Sequence, residues 1–128
     1  MKVSFSSQDR AGFTLVELMI VVGIIGLLAS LAVPNIVRAR DTSRLNVIYN
    51  NLRVIEYAKE QWALDNNQAT STAVSDIGVL SGYFQWSSIQ NVINETYVPN
   101  AIGTPAEADL PSGVGLGPYG PGAAIPAP

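Results

Sequence analysis

Glu17 is the residue that most needs a chemical account. It is the single charge among residues 13–33, FTLVELMIVVGIIGLLASLAV, and a carboxylate in so apolar a run is costly unless something compensates it. Two chemistries fit. Thr14-Leu15-Val16-Glu17 has the spacing of a capping box, in which the acid satisfies a free N–H at a helix start. Alternatively, the acid meets a cation supplied by its own chain or another. Gly12 stands just before the run. Without a Cβ it lets backbone enter a narrow cleft, or it is simply a flexible residue between a polar segment and a helix. Gly26-x-x-x-Ser30, with Gly23 and Ala29 nearby, allows close helix approach, although small residues are also common in membrane helices.

Other chemistry is poorly supplied. The chain has no Cys and no His, which excludes disulfides and thiolate metal sites and removes the usual neutral-pH general base. No catalytic residue, cofactor or metal site is expected. Gly113-Val114-Gly115-Leu116-Gly117 lacks the strand–helix context of a dinucleotide loop and reads as a turn-rich tail. Asn94-Glu95-Thr96 reads as a chance sequon, and the acids lack EF-hand spacing. The net charge is −3, and every base lies at or before Lys59. Glu60, Asp65, Asp76, Glu95, Glu107 and Asp109 follow with no base among them. A basic stem thus precedes an acidic head that would repel phosphate backbones, so no nucleic-acid partner is expected.

The elements that must position these residues follow in order. Residues 1–12 are a polar leader carrying Lys2 and Arg10. Residues 13–33, as a helix, would span roughly 31 Å, about a bilayer core. That is too long and too apolar for a buried soluble helix. A cleaved secretory signal, with Ser30-Leu31-Ala32 as its cleavage site, and a membrane anchor both remain open on physics alone. Lys2 and Arg10 before the run are outnumbered by Arg38, Arg40, Arg44 and Arg53 after it. The positive-inside rule would therefore keep the C-terminal part in the cytoplasm, but a segment as long as 34–128 translocates largely regardless.

Pro34 should kink or weaken the helix. Beyond it, Leu45, Ile48, Leu52, Ile55 and Trp62 recur at helical spacing, with Lys59 breaking the seam. Leu52, Ile55 and Trp62 are expected to be buried under the head, with Tyr49 and Tyr57 also packing there. Asp41/Arg44, Arg53/Glu56 and Glu56/Lys59 would be i,i+3 pairs on an exposed face. This stem should end near Asn66-Asn67, roughly 80 Å of helix from Phe13 if continuous. In the head, residues 75–84 suggest a short turn or helix. Ser87 or Ser88 would cap a short helix carrying Ile89, Val92 and Ile93, and Tyr97-Val98 would begin a strand. Residues 99–128 hold seven Pro and six Gly and show no alternating strand, so turns and irregular chain are expected. So small a head must lean on the stem's apolar stripe.

The junction Gly12-Phe13-Thr14-Leu15-Val16-Glu17-Leu18 resembles the type IV prepilin signature. The likeness runs through Met19-Ile20-Val21-Val22-Gly23-Ile24-Ile25-Gly26 to Ala32-Val33-Pro34. It implies a pilin-like α+β fold: leader 1–12, membrane and assembly helix 13–33, amphipathic stem 34–67, and a small Pro/Gly-rich head 68–128 of low strand content. The family's usual C-terminal antiparallel sheet is not evident in the head's sequence. The resemblance implies cleavage between Gly12 and Phe13 by prepilin peptidase on the cytoplasmic side, N-methylation of Phe13, and subunit docking by Glu17. It also implies helix flexibility at Gly26 and Pro34. The partners implied are other pilin-like subunits, an assembly platform and its ATPase, and the bacterial inner membrane, with the head periplasmic before assembly into a periplasmic pseudopilus or extracellular pilus. The alternatives are a secreted binding module released after Ala32 and a single-span protein that does not polymerise.

If Gly12 enters a protease cleft, Gly12→Leu should leave uncut precursor in membranes, read by mass spectrometry. Normal removal of residues 1–12 from that variant would contradict the assignment.

Overall fold

One helix, α1 (Leu15–Asp65, 51 residues), takes up both the apolar run and the stem. The computed structural model describes residues 12–85 and 89–128; leader residues 1–11 and the expected caps Ser87 and Ser88 lie outside them. Two compact units make up the chain, Met1–Ile36 and Val37–Pro128.

In the first unit, the apolar side chains of α1 are uncovered from Leu15, 73% exposed, through Val33, 59% exposed. Pro34 lies inside the helix. Its ring removes one backbone donor, and nearby side chains donate to carbonyls of the preceding turns: Ser30 Oγ to Leu27 O at 2.7 Å and Asn35 Nδ2 to Leu31 O at 3.4 Å.

In the second unit, Ile48, Leu52 and Ile55 form a fully buried seam on α1. They pack with Val74, Leu80, Ala106, Ala108, Leu110, Leu116 and Ile125. The helix stops as its sequence suggests. Asn67 takes a left-handed φ of 50°, Gln68 N donates to Ala63 O at 2.9 Å and Asn67 N to Leu64 O at 3.3 Å. That is a Schellman ending, with Asn replacing the more usual Gly. A 3-10 turn at Ile77–Leu80 follows, capped by Asp76 and burying Leu80.

The head contains a three-stranded antiparallel sheet in the order β1 (Thr96–Val98), β2 (Glu107–Asp109), β3 (Ala124–Pro126). Tyr97 faces Ala108, and Ala108 faces Ile125. Strand β1 falls where Tyr97-Val98 suggested. Strands β2 and β3 add two short strands to a tail expected to be turns and irregular chain; strand content stays low, and the fold is α+β and pilin-like. Each has three residues, too few for a visible alternation, and β3 ends on Pro126. Gly117 shows what the turns between them require. Its φ is +59°, and a Cβ there would come within 2.8 Å of Leu45 Cδ1.

Four further expectations need correction. Residues 89–95 are not helical; Glu95 gathers their N–H groups instead, accepting from Val92 N and Ile93 N. Tyr57 is 68% exposed, since it sits about 200° round the helix from Ile55. Trp62 is only half-buried, at the edge of the core.

The fourth correction is the most consequential. Lys59 does not break the seam but completes it, with 1% exposure. Its ammonium donates to Glu56 Oε1 at 2.9 Å, to Pro99 O at 2.9 Å and to Thr104 O at 2.6 Å. The same Glu56 oxygen accepts from Ala106 N. Of the three expected i,i+3 pairs, Glu56–Lys59 is the one that closes as an ion pair among the described residues, and it does so inside the head.

Lys59→Met would keep the stem's volume while leaving two carbonyls unsatisfied and Glu56 without its cation. Breaking a buried pair costs about 3–5 kcal/mol. Glu56 keeps 28% of its side chain exposed, so about 3 kcal/mol is expected. Near-UV circular dichroism melts of the detergent-solubilised chain would show this as a lowered midpoint; an unchanged midpoint would refute the clamp.

Candidate functional site

The N-terminal junction is built by the start of α1. Gly12, Phe13 and Thr14 precede the helix, and Phe13 is 90% exposed. Leu18 N donates to Thr14 O at 3.2 Å, so Thr14 closes the first turn. Glu17 N donates to Thr14 Oγ1 at 3.2 Å, and Thr14 N donates to Glu17 Oε2 at 2.9 Å. The Thr14 hydroxyl donates to the same carboxylate oxygen at 2.9 Å. The capping box read from the sequence is therefore formed, and its acid stands where the helix dipole favours negative charge.

Glu17 Oε1 has no hydrogen-bond partner among the described residues. All of the carboxylate's cap contacts thus go to one oxygen, Oε2. Gly26 and Pro34 both lie within α1, distant in sequence from the Glu17 cap, and a Cβ on Gly12, Gly23 or Gly26 would meet nothing within 4 Å. These glycines are not demanded by packing within the single chain. From Leu15 onward α1 contains a segment long and apolar enough to cross a membrane, with none of it buried.

A second polar network escaped sequence reasoning. Asn51, 1% exposed, donates to Gln90 O at 2.9 Å and to the Tyr97 hydroxyl at 2.7 Å. That hydroxyl donates to Glu95 Oε1 at 2.7 Å. Asn51 and Glu95 were the available signals: an amide beside the seam residue Leu52, and an acid just ahead of a strand. Neither names its partner. The network ties α1 to β1 and the segment before it. Asn51 and Glu95 are buried and Tyr97 is half-buried, and the network serves as a brace. Among the described residues no group of three or more acids, His or Cys is placed to hold a metal ion.

Residues 7–33 match the prokaryotic N-terminal methylation motif. The type II secretion system core protein G of Klebsiella michiganensis is 37% identical over 65 residues, 51% of this chain and 46% of that protein. The type IV major pilin protein PilA of Myxococcus xanthus is 36% identical over 78 residues, covering 61% and 35%. The type IV wide pilus major component PilA4 of Thermus thermophilus is 37% identical over 72 residues, covering 56% and 55%. The chain thus spans about half the length, or less, of these relatives. No solved structure matches it. The motif and these relatives support a prepilin-like or pseudopilin-like family.

Burial raises the Tyr97 pKa first of all; the Asn51 hydrogen bond opposes the rise and the Glu95 contact adds to it. A phenol whose folded pKa is raised contributes stability below its unfolded pKa, about 10, and loses it as pH rises further. Unfolding free energy should fall above about pH 10, and Tyr97→Phe should show a shallower fall from a lower starting value. Equal alkaline slopes in denaturant titrations of the two proteins would contradict this.

Proposed function

We propose that this prepilin-like chain is a structural subunit of a type IV pilus-like or type II secretion pseudopilus-like filament, assembled through α1 once its leader is removed. The carrying observation is the methylation motif at residues 7–33 in register with a wholly uncovered apolar helix. Its role is assembly, with no catalysis. Prepilin peptidase would cut between Gly12 and Phe13 and methylate the new amine. The anchor would hold the subunit in the inner membrane with the head periplasmic, until a platform and ATPase drive it into the filament.

The capping geometry supports a specific part for Glu17. Cleavage after Gly12 leaves the Thr14 amide intact, so the capping box survives processing. The new cation is on Phe13, and Glu17 Oε1 is available to a Phe13 amine on a neighbouring subunit. Capping and docking therefore use different oxygens of one carboxylate. Gly26 and Pro34 fit a helix that extends locally on assembly, being weak helix formers by about 1 and 3 kcal/mol relative to Ala.

Glu17→Gln separates the two roles. The capping box accepts Gln, so insertion and cleavage after Gly12 should proceed, as N-terminal sequencing would show. Docking loses its charge, leaving an ammonium unpaired in an apolar bundle at a cost on the order of 3–5 kcal/mol. The variant should be missing from the sheared filament fraction. Wild-type filament yield would leave Glu17 as a cap and nothing more.

A further inference from the structure

The two ends of α1 differ in how they meet the helix dipole. Glu17 in the first turn complements it, whereas the last turn holds Asp65 and no base. Acid at the negative pole favours a cation from outside the helix. Beside that end, Glu60, Ala63, Leu64, Gln68, Thr70 and Ile102 line a surface cleft of about 360 Å³. Glu60 is its one charged residue. Leu64, 77% exposed, and Ile102 form apolar walls. Such a cleft suits a side chain with an alkyl stem and a cationic tip.

Among the described residues, none of the chain's bases is paired with Glu60. Lys59 is consumed inside the head. Arg53 makes no ion pair with Glu60, about 10 Å further along the helix. Arg38 and Arg40 are exposed, and α1 rises about 33 Å from Arg38 to Glu60, far beyond side-chain reach. A second copy shifted along a parallel α1 by that distance would bring base to acid.

We propose that the cleft at Glu60 and Leu64 receives Arg38 or Arg40 from a second copy of this chain, joining the stem of one subunit to the head of another. The contact rests on the filament reading and adds a charge-selective step to it. The guanidinium lies against Glu60, and its methylenes against Leu64 and Ile102. It also accounts for the segregation of charge along the chain, which within one subunit leaves these acids unpaired.

Charge exchange in the full-length chain tests this. Glu60→Arg alone, and Arg38→Glu with Arg40→Glu, each place like charges together and should lower sheared filament yield about tenfold. Combining all three should restore yield to within about twofold of wild type. Glu60→Gln, which keeps the shape, should give a smaller loss of the same sign. Near-UV melts of each variant should match wild type, since these residues are exposed. Wild-type yield from the single exchanges, with filaments otherwise normal, would overturn the contact and leave the filament reading intact. Loss without rescue would show that the arginines serve another partner, such as anionic lipid, and would also overturn it. A wild-type chain that is processed yet forms no filament would sink both readings.

Discussion

The buried Lys59 ammonium is the constraint on which the head depends. It sits on the apolar seam of α1 and cannot remain charged there without acceptors. Those acceptors come from the connection between β1 and β2: Pro99 O just after one strand and Thr104 O just before the other. Glu56 completes the clamp by holding both the ammonium and Ala106 N. One side chain thereby fixes a strand connection that contains two prolines and could otherwise take many paths. With this connection set, Ala106 and Ala108 face the core, and β3 can pair by placing Ile125 opposite Ala108.

The Asn51–Tyr97–Glu95 network does comparable work on the other side of β1. Strands of three residues have few ladder hydrogen bonds and little side-chain surface. Their stability must come from attachment to the helix, and both polar clusters provide it. A sheet this small beside a stem this long makes α1 the organiser of both units. Its first part presents apolar side chains with no partner among the described residues, and its second part carries the seam that the head covers.

This division fits a subunit whose folding and assembly use different stretches of one helix. The head closes on residues from Leu45 to Trp62, so its core does not require residues 13–33. On the proposed reading, those residues, with the Glu17 carboxylate at their start, would be available to lipid first and to neighbouring subunits afterwards. The charged stem and acidic head would then lie in the aqueous part, where exposed pairs select partners more than they add stability.

What the sequence determined by itself is local. The apolar run, the Thr14–Glu17 cap, the seam through Ile48, Leu52 and Ile55, and the stop at Asn66-Asn67 depend on spacings of a few residues. Helical periodicity and capping chemistry are written at that range. The short turn around residues 77–80 and the start of β1 were legible for the same reason. The tertiary structure decided the rest. Strands β2 and β3 exist because distant segments meet, and three residues cannot announce a register. Lys59 looked like an interruption because its acceptors lie 40 and 45 residues away, and only folding brings them to it. Tyr57 and Trp62 were misplaced because periodicity gives a direction round the helix but not the extent of what covers it. Ile89, Val92 and Ile93 were assigned to a helix on spacing alone, whereas Glu95 takes the backbone donors of this segment into a buried network whose other half, Asn51, is on α1. Burial of charge is a property of the assembled head, so its consequences cannot be read from the residues on either side.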